Sequence, residues 1–250
     1  MQLWTKEHAV TLIPAIVVML LLGWLCRKTL GNKSLKIRMI PIQIIAVLLL
    51  LLEVGKQGVS LYRGYDLYCL PFHFCSLYLF TLPALAFYRG KHQHIVATIN
   101  AAITTALFLI MLIYPNLIYS ASDVTGFFGE YISFHTVVFH NLVVFAFILI
   151  FALKLPMPAG KGSVKAISIF MLVFSIVAAV MAQLLQTNYT NMYQCNIPVF
   201  EEIRLSVQPV LGYWITQCLY VSILTCLHIL FVLMCYGLIK LVRRRKKAAV

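Results

Sequence analysis

The chain has 250 residues, of which 62% are hydrophobic and only 11% charged, with a mean hydropathy of +0.93. Soluble domains are typically about 45–50% apolar and about 25% charged, so a water-soluble globular fold is excluded. The net charge of +13 does not mark a nucleic-acid binder, because the basic residues lie between apolar runs and not on one soluble face. No nucleic-acid partner is expected.

In chain order, apolar runs cover residues 9–26, 39–56, 68–88, 95–114, 131–153, 165–186 and 210–240. Each approaches or exceeds the ~20 residues that cross a bilayer as α-helix. The first run follows MQLWTKEH, which lacks a basic leader and a small-residue exit, so it is expected to stay as a span. Glu53, Lys56 and Gln57 interrupt the pattern between the second and third runs. The expected fold is all-α: one polytopic transmembrane bundle of seven spans over residues 1–250, ending in a basic tail, 241–250.

Loop charge orients the bundle. Arg27, Lys28, Lys33, Lys36 and Arg38 follow the first run; Arg89 and Lys91 follow the third; Lys154, Lys161 and Lys165 follow the fifth; Lys240, Arg243, Arg244, Arg245, Lys246 and Lys247 end the seventh. Seven crossings place these segments on one side, which the positive-inside rule makes cytoplasmic. Only Lys6, Lys56, Arg63 and Arg204 remain for the other side, near which all seven acidic residues fall. The N-terminus is therefore expected outside and the C-terminus on the cytoplasmic side of a plasma membrane. The tail LVRRRKKAAV reads first as a stop-transfer anchor and second as a contact for anionic headgroups.

Ionisable residues within a membrane are costly and mark function by default. Glu53, His73, His135, His140, Gln183, Asn188, Gln208 and Gln217 are expected at one level, in the outer half of the bilayer, around a pocket that opens outward. His135 and His140 are five positions apart, which places them about 140° apart on a helix, so only one faces that pocket. His140, deeper and followed by Asn141, is preferred. As the third run is expected to be helical, Cys75 lies about 200° from His73, while Cys69 shares its face. A Cys–His nucleophile then needs a histidine from another span for Cys75, such as His140. The competing explanation for these cysteines is packing.

The outer segment QTNYTNMYQCNIPVFEEIRLSVQP is read as a loop that caps the pocket. Asn188–Tyr189–Thr190 has the glycosylation pattern, and Cys69 and Cys195 share the side where a disulfide is permitted. No C-x-x-C pair suggests a metal or redox centre, and no cofactor or metal is expected. A rhodopsin-type receptor is not supported: neither its arginine motif nor a retinal-bearing lysine in the last span is present.

Three stretches, LPFHFCSLYLF (70–80), SFHTVVFHNLVVF (133–145) and TNYTNMY (187–193), resemble the YwaF-like family of bacterial integral membrane proteins. The resemblance maps Leu-Pro-x-His-x-Cys onto Leu70, Pro71, His73 and Cys75, the later histidine onto His140 with His135 as rival, and the Asn-Tyr motif onto Asn188 and Tyr189. It implies a distant likeness to a eukaryotic multispanning acyltransferase that remodels ether phospholipids through a cysteine directly before the motif histidine. Phe72 fills that place here, so a thioester route would fall to Cys75 or Cys69. The implied activity is lipid modification, a phospholipid acyl or headgroup transfer. His73, His140 and Cys75 are then the catalytic candidates, and Glu53, His135, Gln183, Asn188 and Tyr189 the substrate-binding ones. Membrane lipids, phospholipid or lysophospholipid, are the expected partners. A transporter or a small-ligand or lipid-binding protein is the alternative, although the inner half offers few polar residues beyond Asn100 and His228.

Overall fold

The computed structural model describes residues 3–157 and 160–248, with the side chains of 161 and 244–248 outside that description. Helix is the regular structure of the described chain, which has no strands. Six helical stretches are long and apolar enough to cross a membrane. They are α1 (Lys6–Leu30), the continuous pair α2 (Leu35–Arg38) and α3 (Ile40–Tyr62), α5 (Gln93–Ile113), α7 (Tyr131–Ala152), α8 (Lys161–Leu184) and α10 (Tyr213–Ala248). Between α3 and α5 lies α4 (Tyr78–Phe87), and a short α6 (Ala121–Thr125) precedes α7.

The third expected span is the main departure. Of residues 68–88, only 74–87 form one apolar helix, a four-residue 3-10 turn, Phe74–Leu77, leading into α4. Upstream, α3 ends where Gly64 (φ +96°) and Tyr65 (φ +51°) adopt left-handed backbone, and the Tyr65 N–H returns to Ser60 O at 2.7 Å. The chain then makes a 3-10 turn, Leu67–Cys69, capped by Asp66, whose Oδ1 accepts from the Tyr68 N–H at 2.9 Å. Leu70 and His73 are extended. Pro71, which offers no N–H and disfavours α-backbone at Leu70, sits in the middle of this unwound stretch.

The second departure is on the segment before the last span. Residues 198–211 are not loop but helix α9 (Pro198–Leu211), closed by Gly212 (φ +78°) before α10 begins. Two prolines and three charges hid it from a reading based on apolar runs.

α7 packs on α1, α3 and α5; α10 packs on α5 and α8; and α4 fits between α3 and α5. The shared core, with Leu12, Ile42, Leu49, Tyr78, Leu82, Ile103, Leu107 and Leu149 fully buried, is the centre of the bundle. Among the buried positions of α5 are the alanines Ala97, Ala101, Ala102 and Ala106, which allow the close helix approach on which membrane packing depends. Outward faces remain apolar, as on α1 at Leu21, Leu25 and Val18. A soluble protein would hide such a surface; here it is the face offered to lipid.

Hydrogen bonds bring the basic segments together at one end. Arg38 Nη1 donates to Leu153 O (2.8 Å) and Lys154 O (3.2 Å), Arg243 Nη1 to Met157 O (3.0 Å), and Arg89 Nη2 to Ala86 O (2.6 Å). Gln43, near the start of α3, also reaches Ala86 O. At the opposite end, Trp4 Nε1 donates to Leu112 O, and Tyr131 Oη to Leu52 O, both at 3.1 Å.

Candidate functional site

Glu53, Lys56 and Gln57 lie one helical turn apart on α3 and form the centre of a buried polar network. Lys56 Nζ is 2.9 Å from Glu53 Oε2, and the two side chains are only 12% and 13% exposed. His135 Nε2, from α7, approaches the same oxygen at 3.4 Å without hydrogen-bond alignment, so the ring nitrogen stays without a proper partner. The Gln57 amide donates one hydrogen to Glu53 Oε1 (2.7 Å) and the other to Cys69 O (2.8 Å), while its oxygen accepts from Tyr65 Oη (2.8 Å). Every hydrogen-bonding position of Gln57 but one lone pair is thereby used. This one residue ties α3 to the unwound chain.

His73 stands on that unwound chain. Its Nε2 bonds Tyr68 O at 2.9 Å, and since a carbonyl only accepts, Nε2 carries the proton. The neutral ring therefore keeps a lone pair on Nδ1, the form a general base needs. The ring lies 4.4 Å from that of Tyr68 and meets Tyr189 edge-on at 5.3 Å. Cys75 follows in the 3-10 turn, a free thiol without a hydrogen bond to any histidine among the described residues. The Glu53–Lys56 pair lies within electrostatic range of both His73 and Cys75. With residues 67–73 unwound, the helical geometry that separated Cys75 from His73 and aligned Cys69 with it does not apply here.

Phe74 and Cys75 occupy the first two positions of the 74–87 helix, where backbone N–H groups have no carbonyl one turn back to bond. A histidine with a free lone pair thus immediately precedes two N–H groups and the positive end of a helix.

The segment from Thr187 to Asn196 holds this arrangement from above. Tyr189 is fully buried, donates its hydroxyl hydrogen to Leu67 O and meets Phe72 as well as His73 edge-on. Burial pushes its phenol up. Thr190, held at φ +52°, donates to Phe72 O at 3.0 Å. Asn188 Oδ1 accepts from the N–H groups of Tyr193 and Gln194, both at 3.2 Å, and its amide donates to Asn196 Oδ1 at 3.0 Å. Gln183 donates to Met192 O (3.3 Å) and accepts from Tyr213 Oη (2.7 Å). Asn188, Gln183 and Tyr189 thus spend these polar groups on the chain itself and shape the wall around His73. Cys69 and Cys195 are both free thiols.

His140 is apart from this group. Its Nδ1 donates to Thr136 O one turn back (2.6 Å), and its ring lies 6.4 Å from Tyr119. Tyr119 belongs with His8, which is fully buried: its Nδ1 accepts from the Thr5 N–H and its Nε2 donates to Tyr119 O at 2.8 Å. Thus the histidine of α7 that faces Glu53 is His135, and His140 belongs to a second cluster with His8 and Tyr119. Lys56, Gln57, Tyr65 and His8 carry these networks without having been singled out as site residues; for the first two, the break in apolar pattern at 53–57 was the available signal. His228 comes near the motif through Phe74, at 6.3 Å between rings.

The last polar group braces α9. Arg204 forms a salt bridge with Glu201, donates to Gln217 Oε1 at 3.1 Å and lies 5.9 Å over the Tyr220 ring. The hydrogen bond from Arg204 is the largest influence on the Glu201 carboxyl and holds it below its usual range, with the Cys195 N–H assisting; the Arg204 guanidinium is raised in turn. α9 turns Glu201 and Arg204 inward and Phe200, Ile203 and Val210 outward, the reverse of a soluble amphipathic helix. Among the described residues, no three histidine, cysteine or acidic side chains are placed to hold a metal ion.

Neither the curated proteins nor the solved structures contain a match to this sequence. A family model does match, that of the TMEM164 family, over residues 3–236, which takes in the polar clusters around His73, His140 and Arg204 and all but the end of the last span. The chain belongs to the TMEM164 family of transmembrane proteins.

Proposed function

We propose that the protein is a lipid-modifying enzyme, a phospholipid acyl or headgroup transferase, working around His73 in the outer half of the bilayer. The observation that supports this is the unwound backbone of 63–73 over a buried Glu53–Lys56–His135 network. Non-helical backbone at membrane depth is tolerated only where it is enclosed by protein or lines a wet cavity. Spans interrupted in this way commonly carry binding sites. The topology taken with this proposal has seven crossings, the third being the unwound segment plus α4. The basic end then faces the cytoplasm of a bacterial plasma membrane, and the likeness to YwaF-like proteins belongs to the same proposal.

In acyl transfer, His73 Nδ1 takes the proton of a lysophospholipid hydroxyl as its oxygen attacks the ester carbonyl of a donor lipid. The Phe74 and Cys75 N–H groups receive the charge that gathers on the carbonyl oxygen. The new ester bond forms as the donor's carbon–oxygen bond breaks, and the imidazolium returns its proton to the leaving oxygen. In a two-step route, the Cys75 thiol carries the acyl group between the two esters. Water in place of the lysolipid gives hydrolysis by the same steps.

Transport or ligand binding is the alternative, favoured by the buried ionisable trio of Glu53, Lys56 and His135, a grouping suited to proton relay. Mass spectrometry of lipids decides between them. Purified protein incubated with defined phospholipid and lysophospholipid is expected to yield acyl-exchanged or cleaved lipid. His73→Ala is expected to lower the rate by a factor of about 10²–10⁴ while remaining folded, as loss of a general base does. Unaltered lipid across headgroups and chain lengths would remove the enzymatic proposal and leave the binding one.

A further inference from the structure

A second polar site lies at the basic end of the bundle, outside the chemistry around His73. A cavity of about 480 Å³ is lined by Trp24, Arg27, Lys28, Gly31, Asn32 and Lys154. It joins the end of α1 to the turn after α7. No acidic residue lines it, and among the described residues none of its three cations is ion-paired. Full charges brought together this closely, without a carboxylate between them, leave an uncompensated positive field. The end of α1 contributes about half a negative charge, which three cations outweigh.

The site is built and not merely crowded. Lys154 is held at φ +51°, a left-handed backbone that a lysine rarely adopts. Arg38 fixes that turn by donating Nη1 to both Leu153 O and Lys154 O, and its Nε is buried without a partner. On the opposite wall, Lys28 Nζ lies 5.3 Å from the centre of the Trp24 ring. Trp24 is 60% exposed and continues into the apolar lipid face of α1 at Leu21 and Leu25. Tryptophan favours the boundary between headgroups and acyl chains, which sets the level of the cavity.

We propose that this cavity binds the phosphate of an anionic phospholipid in the leaflet bordering the basic end, with the acyl chains lying along Leu21 and Leu25. The charges recognise the headgroup, and the apolar face of α1 distinguishes a lipid from a free anion. Basic pockets between spans are a recurrent solution for such headgroups.

The test is native mass spectrometry of the full chain released from mixed phosphatidylglycerol and phosphatidylcholine nanodiscs. Wild type is expected to retain phosphatidylglycerol over phosphatidylcholine. Arg27→Gln and Lys154→Gln, on separate elements, are each expected to weaken retention by roughly fivefold. Lys91→Gln removes an equal charge at the same end, outside the cavity, and is expected to leave retention unaltered. The proposal is overturned if both lipids are retained equally, or if Lys91→Gln loses as much as the cavity variants. Displacement of the lipid by an equal concentration of inorganic phosphate would overturn the lipid as occupant. Melting temperatures of the three variants identify any loss that comes from unfolding.

Discussion

The Tyr189 ring meets His73 edge-on, 5.3 Å between centroids, while its hydroxyl is anchored to Leu67 O six residues upstream of the histidine. One side chain therefore fixes both the ring and the backbone that carries it. Tyr189→Phe is expected to retain the packing and lose one hydrogen bond, about 0.5–1.5 kcal/mol of stability. Tyr189→Ala should cost about 3–5 kcal/mol, as loss of a buried aromatic does. Thermal unfolding in detergent measures both, and similar melting temperatures for the two variants would contradict this role.

Removing Lys56 strands Glu53 without its cation in a buried setting. Lys56→Ala is expected to destabilise by about 3–5 kcal/mol, whereas the paired replacement Glu53→Gln with Lys56→Met should lie much closer to wild type. A double-mutant cycle on unfolding free energies measures the coupling. Additive effects would show that the pair does not act as a unit.

Acid should weaken the attachment of α9. The Glu201 carboxyl is held below its usual value of 4.5, foremost by its hydrogen bond from Arg204. A lowered folded-state pKa gives stability that is present above the unfolded value and is lost as pH falls through the folded one. Because the pair is partly exposed, the effect should be no more than about 1 kcal/mol. Glu201→Gln should therefore melt below wild type at pH 7, and the gap should close as pH falls below 4.5. A gap that widens toward low pH would reverse the assignment.

At Gly23, an added Cβ would lie 2.5 Å from Ile148 Cγ2, where α1 crosses α7. The branched methyl is stiff, so Gly23→Ala is expected to cost about 1–3 kcal/mol through overpacking. Ile148→Leu removes that methyl and should restore part of the loss in the double variant. Failure of this rescue, read by the same unfolding measurement, would locate the strain elsewhere.

The spans were legible because apolar length is a direct physical requirement of the bilayer: α5 and α7 fall within two residues of the stretches read from sequence. Residues 68–73 were not legible in the same way. Leu70, Pro71 and Phe72 are apolar enough to extend the run, and only the Pro71 constraint on Leu70 hinted at unwinding. α9 was hidden because its charges and prolines break the apolar run, although Glu201 and Arg204 turn inward; Phe200, Ile203 and Val210 recur at helical spacing and were the available signal. Within the site, the rotation separating His135 from His140 could be read from spacing. Which of them turns toward Glu53 depends on how α7 is rotated against α3, and one helix's sequence does not record that.

The shortness of the 74–87 helix bears on how the chain is made. Its 14 residues rise only about 21–23 Å, less than the ~30 Å hydrocarbon thickness. Tyr78, Leu82, Leu85 and Ala86 on it are buried against neighbouring helices and not turned to lipid. Such a segment is a poor independent passenger for the insertion machinery. Held between α3 and α5, it depends on them for its place, so substitutions that loosen those two helices should surface as failed biogenesis before they surface as lost stability.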